Sequence, residues 1–300
     1  MNLRKEQAGI IYMTSAYVLW GFLPIYWKLV DHVSAGEVLA HRIVWSFVLM
    51  TGIVYFSKNR THFIAECKSI ITDKNKLIGI ILASIFISLN WLTFIWAVTS
   101  GHVVQASLGY YINPLISIVL GVVILKEKLT KGQVLALIIA GLAVINLTIS
   151  FGVFPWISLV LAFTFAIYGL LKKTVDIGAM FGLTIETMIV TPIALIYLVI
   201  TPNGAFSVST GGLGTSLLLM GTGIATAIPL LLFAHGAKRI PLSLLGFLQY
   251  IAPTIMLIIG IFVFNETFSS AHFISFLLIW LSLIIFMGSL ESKRRIQHKA

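Results

Sequence analysis

The chain has 300 residues, of which 59% are hydrophobic and 10% charged, and its mean hydropathy is +1.03. A water-soluble domain of this size could not cover that much apolar surface with polar groups, so lipid is the solvent for most of the chain. The net charge of +10 follows from membrane topology and anionic lipid and calls for no nucleic-acid partner. Cys67, the single cysteine, excludes a disulfide framework and a cysteine-based metal site.

In chain order, MNLRKEQAGIIYMTSAYVLWGFLPIYWK joins a basic start to an apolar run too long for a signal peptide and without its small-residue cleavage pattern. It is expected to be a retained first span near 8–28. Further apolar stretches lie near 36–57, 77–98, 102–125, 132–149, 155–171, 178–200, 213–235, 241–264 and 268–290. Each is close to the ~20 residues that a helix needs to cross a bilayer, which makes about ten spans. Long continuous runs favour helices over a β-barrel, whose strands would alternate. The boundary is weakest at SFGVFP, between the fifth and sixth stretches.

The basic residues set the orientation. Of the 20 Lys and Arg, all but Lys28 and Arg42 fall on one side of the ten-span arrangement. The positive-inside rule then places both termini in the cytoplasm.

The two halves echo one another. YYINPLISIVLGVVILKEKLT at 110–130 aligns with QYIAPTIMLIIGIFVFNETFS at 249–269, so that Tyr111 falls on Tyr250, Pro114 on Pro253, Gly121 on Gly260 and Glu127 on Glu266. GEVLAHRIV from 36 and GLTIETMIV from 182 form a weaker pair. The unit is five spans long, so its second copy must be inverted in the membrane: 1–150 as the first repeat, 151–300 as the second. Inverted repeats of this kind belong to secondary transporters.

The stretches AYVLWGFLPIYWK, GEVLAHRIVWS, LNWLTFIWAV, ASLGYYINPLIS, PWISLVLAFTFAIYGLLKK and TAIPLLLFAHGAKRIPLSLLGFLQYIAPT resemble the RarD group of the drug/metabolite transporter superfamily, the EamA-type permeases. The resemblance runs from the first span to the last. It implies an all-α membrane fold of ten helices, two inverted repeats around a central cavity, and a place in a bacterial cytoplasmic membrane.

Function is sought among groups that lipid excludes, because an ionised side chain at mid-bilayer costs about 2.5–3.5 kcal/mol on insertion scales. Glu37 and Glu186 are the carboxylates well inside spans, and Arg42 is the basic residue inside one. His41 lies one turn below Glu37 on the same face, whereas Arg42 is turned about 140° from Glu37 and is expected to meet another helix. Arg42 is the candidate anchor for a carboxylate or phosphate, with Glu37 and His41 beside it; snorkelling or helix locking is the alternative. Glu186 is either a proton carrier or a counter-ion, for which Arg42 is the candidate partner. Pro114 and Pro253 are expected to interrupt their helices at matching depth, freeing carbonyls near a central site lined by Gln105, Tyr110, Tyr111, Asn113, Gln249 and Tyr250. Asn90, Trp91, Trp20, Tyr26 and Trp27 are further candidates, and Glu127 and Glu266 are read as caps or salt bridges at span ends.

The expected function is a permease working by alternating access, proton-coupled or exchange-coupled. Its substrate would be an amino acid, another carboxylate metabolite or an aromatic drug, with membrane lipid as its other partner; a homodimer stays open. No cofactor or metal is expected. Asp31, Asp73 and Asp176 all sit in connecting segments, which leaves an intramembrane aspartyl enzyme without its carboxylates. No G-x-x-x-x-G-K-[ST] motif is present, so the chain does not power transport with its own ATP hydrolysis. A non-transporting receptor or scaffold is the remaining alternative.

Overall fold

A computed structural model describes residues 3–57, 59–99, 102–152, 154–201, 204–206, 212–264 and 270–299. The described chain is helical: α1 Leu3–Lys28, α2 Ala35–Phe56, α3 Arg60–Thr72, α4 Lys74–Thr99, α5 Val103–Val123 and α6 Lys131–Phe151 in the first half. The second half holds α7 Trp156–Thr174, α8 Ala179–Ile200, α9 Gly212–Ala237, α10 Leu242–Gln249, α11 Ile251–Phe262 and α12 Ser270–Lys299.

Among the described residues, nine helical stretches are long and apolar enough to cross a bilayer, with α10 and α11 counted as one stretch, Leu242–Phe262. The expected fourth span corresponds to α5, of 21 residues. Its described apolar part is Leu108–Val123. The chain is thus an all-α integral membrane protein, and its surface is inverted accordingly. Phe56, Val199 and Phe262 are 82%, 84% and 78% exposed, where only lipid makes such exposure favourable. The largest buried cluster gathers Met13, Tyr17, Met50, Tyr168, Phe233, Phe247 and Phe286 from six spans.

Local chemistry ends the helices where the sequence suggests. Ser34 caps α2, its Oγ accepting from the Glu37 amide at 3.3 Å. Thr130 and Gln133 form a reciprocal capping box at the start of α6. Gly152 closes α6 at φ 67°, a left-handed conformation that favours glycine.

Two features depart from the sequence reading. The segment after α2, read as a polar connection, contains α3, whose Ile70 packs on Ile80, Ile177 and Ile185. The two prolines also act differently. α5 runs unbroken through Pro114, so that proline does not break its helix. The Pro253 span is divided at Tyr250 into α10 and α11. Pro253 falls in the first turn of α11, where its missing N–H costs little, and the helix restarts there.

The packing has a regular pattern. α5 lies on α7, and α11 on α1; α2 lies on α9, and α8 on α4; α1 lies on α9, and α7 on α4. Three further contacts cross between the two halves: α2 with α8, α5 with α10, and α6 with α12. Close approach is made by small residues. A Cβ on Gly246 would meet the Pro114 carbonyl at 2.7 Å, so glycine lets α10 seat against α5.

Candidate functional site

Arg42 lies one residue past His41 on α2 and points between helices. Its Nε donates to Thr226 Oγ1 on α9 at 3.0 Å. Its guanidinium carbon lies 4.7 Å from the ring centroid of Trp27 on α1 and 5.2 Å from that of Trp91 on α4. Tyr110 of α5 is within electrostatic reach, so four other helices converge on this cation. Among the described residues no carboxylate lies within 4 Å of it. The indole faces hold the guanidinium by cation–π attraction but supply no compensating charge. The fork's remaining N–H groups are the donors that a carboxylate or phosphate matches in two-pronged fashion.

Trp91 is also a wall of a small cavity with room for about one water, lined further by Ile43, Ile87, Ser88, Tyr168, Leu183, Glu186, Thr187, Val190 and Leu230. Glu186 is 3% exposed. Its Oε2 accepts from the Tyr168 hydroxyl at 3.1 Å and its Oε1 from Lys172 Nζ at 2.7 Å. The expected alternative of Glu186 as counter-ion to Arg42 is therefore corrected: its cation is Lys172. Lys172 stands in the last turn of α7, 7% exposed, so Arg42 is not the single basic side chain inside the bundle. Tyr168 and Lys172 are one turn apart, so one helix face presents both to Glu186.

Glu186 and Lys172 also line a second small cavity, bounded by Gly79, Ile80, Ala83, Leu171, Val175, Ile177, Ala179, Gly182 and Lys238. Lys238, just beyond α9, is drawn below the ordinary lysine range by burial, which outweighs the nearby Asp176 carboxylate.

The other expected residues divide into those near this centre and those spent on structure. His41 is 4% exposed, packs tilted against Phe206 with ring centroids 4.8 Å apart, lies 3.9 Å from Glu37 Oε1, and neither ring nitrogen has a hydrogen-bond partner. Glu37 accepts from the Ala205 amide at 2.5 Å, which ties α2 to the segment after α8. Asn90 donates to the Leu161 carbonyl at 2.8 Å and to Thr164 Oγ1 at 3.0 Å; it clamps α4 to α7.

Tyr111, Asn113, Gln249 and Tyr250 form a separate group between α5 and the α10–α11 break. Ser117 Oγ donates to Gln249 Oε1 at 3.3 Å and to Asn113 Oδ1 at 3.5 Å. The Tyr17 hydroxyl is buried beside the Gln249 side chain, within reach of its amide. Tyr250 is fully buried against Ala140, Ala143 and Ile279 and donates to the Tyr111 carbonyl at 3.3 Å. The cavity-lining role expected for Tyr250 is corrected to helix packing: its ring fills the junction of α6 and α12. The Gln105 side chain and Glu266 lie outside the described residues. Glu127 accepts from the Leu242 and Ser243 amides at 2.6 and 2.9 Å, a cap on the first turn of α10 as its sequence position suggests.

The EamA-like transporter family model matches residues 7–149. The protein named uncharacterized transporter YojE of Bacillus subtilis (strain 168) is 45% identical over 96% of this chain and 96% of its own length. Protein RarD of Escherichia coli (strain K12) is 38% identical over 98% of this chain and 99% of its own. The chain belongs to the RarD group of the drug/metabolite transporter superfamily. A crystal structure of another protein aligns with a TM-score of 0.67 at 17% identity, covering 92% of this chain and 96% of that one; it shows the shared fold alone. Membership in the RarD group makes the chain a multi-pass transporter of the bacterial cytoplasmic membrane, acting on a small molecule.

Tyr168, Thr226 and the buried position of Lys172 are absent from the sequence-based site. For two of them a signal was there: Tyr168 and Lys172 are spaced to share a helix face that a lipid-facing lysine would not occupy. Trp27 and Trp91, further candidates by sequence, both lie across Arg42 in the folded chain.

Proposed function

We propose that this transporter moves a small organic anion by alternating access of two inverted five-helix repeats, 1–150 and 151–300, with Arg42 binding the anionic group. The observation that carries the reading is the Arg42 guanidinium, held between Trp27 and Trp91 with no carboxylate within 4 Å among the described residues. A cation so placed costs stability unless an anion visits it, and an anionic substrate is what a transporter brings there.

The packing pattern supports the repeat. Exchanging each span of the first half with its equivalent in the second carries the contact α5–α7 into α11–α1 and α2–α9 into α8–α4. The match of the family model to residues 7–149 fits a unit of half the chain. The partition of basic residues supports cytoplasmic termini. Amino acids, other carboxylate metabolites and aromatic drugs bearing an acid all suit an Arg fork beside indole rings. Transport is coupled to protons or to exchange, with Glu186 the carboxylate available for the former.

The test is a thermal-shift screen of purified protein against a panel of carboxylates and phosphate esters. A ligand at a hundred times its Kd stabilises by about 2.7 kcal/mol, enough to raise the unfolding temperature of the native protein. The same ligand should leave Arg42→Ala unshifted. An equal shift in Arg42→Ala contradicts the assignment.

A further inference from the structure

We propose that the Lys172–Glu186 pair is the cytoplasmic gate of the transport path, closed while Glu186 is ionised and opened when its carboxylate is neutralised. This rests on the proposed transport function and orientation, and it adds where the path closes and what releases it.

Three observations converge. First, Glu186 is the residue common to both cavities. Its Oε2 is turned to Tyr168, a wall of the Trp91 cavity, and its Oε1 to Lys172, a wall of the other. The side-chain pair is therefore the partition between two small, water-sized spaces.

Second, the chain ends below this partition are laced reciprocally. Lys173, at the end of α7, donates to the Ile240 carbonyl at 2.5 Å, between α9 and α10. Lys238, at the end of α9, donates to the Val175 carbonyl at 3.1 Å and to that of Ile177, between α7 and α8. Each helix end holds the other's connection. Lys172 and Lys173 are neighbours on α7, so the pair and the lacing share one helix end.

Third, Lys172 has a like charge close by in Lys238. His235 and Lys238 lie within its electrostatic range. Lys76 of α4 is 3.5 Å from Glu66 of α3, and Asp176 lies near Lys238. Toward the Trp91 cavity, α2 contributes Ile43 and α9 contributes Leu230 to the lining. While Glu186 is ionised, it holds the ammonium against this neighbour. Once the carboxylate takes a proton arriving through the Trp91 cavity, the acid keeps its contact with Tyr168 but no longer holds the ammonium. Repulsion then favours outward movement of Lys172.

The experiment needs no substrate. In a Cys67→Ser background, Ser88→Cys places a thiol in the Trp91 cavity, and a membrane-impermeant maleimide is applied to inside-out vesicles exposing the cytoplasmic face. The parent should react slowly. Glu186→Gln, a neutral isostere, should raise the rate at least about tenfold by shifting the open population. The double variant Lys172→Met/Glu186→Gln, which leaves no lone buried charge, should do the same. Unchanged rates in both variants, measured on protein that elutes as a folded species, would make the pair a structural strut and overturn the proposal. A parent that already reacts as fast as the variants overturns it equally. Because substrate is absent, failure here leaves the Arg42 reading standing, and failure of the ligand screen leaves the gate standing.

Discussion

At the residue scale, charge and shape at Arg42 can be separated by substitution. Lysine keeps the charge and loses the fork, so Arg42→Lys should weaken ligand binding by about 1–3 kcal/mol, as loss of a charge-assisted hydrogen bond does. Arg42→Ala should abolish binding while the protein still purifies as a folded species. Isothermal titration of the two variants checks this. Tyr250 should behave as packing: Tyr250→Ala opens a hole among Ala140, Ala143 and Ile279 and should cost about 3–5 kcal/mol, against less than about 1 kcal/mol for Tyr250→Phe. Thermal unfolding in detergent measures both. Arg42 was legible in the sequence because an ionised group in an apolar run is conspicuous, whereas its partner Thr226 was not. A threonine in a helix satisfies its hydroxyl locally as a rule, so its type carries no sign of a distant contact.

At the element scale, α10 begins on Glu127 of the α5–α6 connection, whose carboxylate also accepts from Ser243 Oγ at 2.7 Å. Glu127→Ala should remove this cap and cost about 1–2 kcal/mol, read as a lower unfolding temperature, with α10 losing amide protection in hydrogen exchange before α11. Spans were readable because an apolar run of the right length has few alternatives in lipid. α3 was not, because a short half-polar segment looks the same whether it coils in water or lies against Ile80 and Ile185. The contrast between Pro114 and Pro253 was hidden for a related reason. A proline's effect depends on whether it falls within a helix or in its first turn, and the sequence repeat fixes only relative position.

At the scale of the whole molecule, topology follows from charge. Reporter fusions after Lys131, Lys173 and Arg239 should score cytoplasmic, and those after Asp31 and Phe154 external. One inverted result among well-inserted fusions contradicts the ten-span arrangement. Superposing 1–150 on 151–300 through an in-plane two-fold should carry Pro114 onto Pro253 despite their different local breaks. The central claim, that an organic anion crosses by way of Arg42, is tested most directly by counterflow. Proteoliposomes loaded with an unlabelled ligand found in the thermal-shift screen would be diluted into its labelled form. The account predicts transient accumulation with the native protein, reduced accumulation with Arg42→Lys and none with Arg42→Ala reconstituted at equal density. Accumulation by Arg42→Ala at the native rate would contradict it.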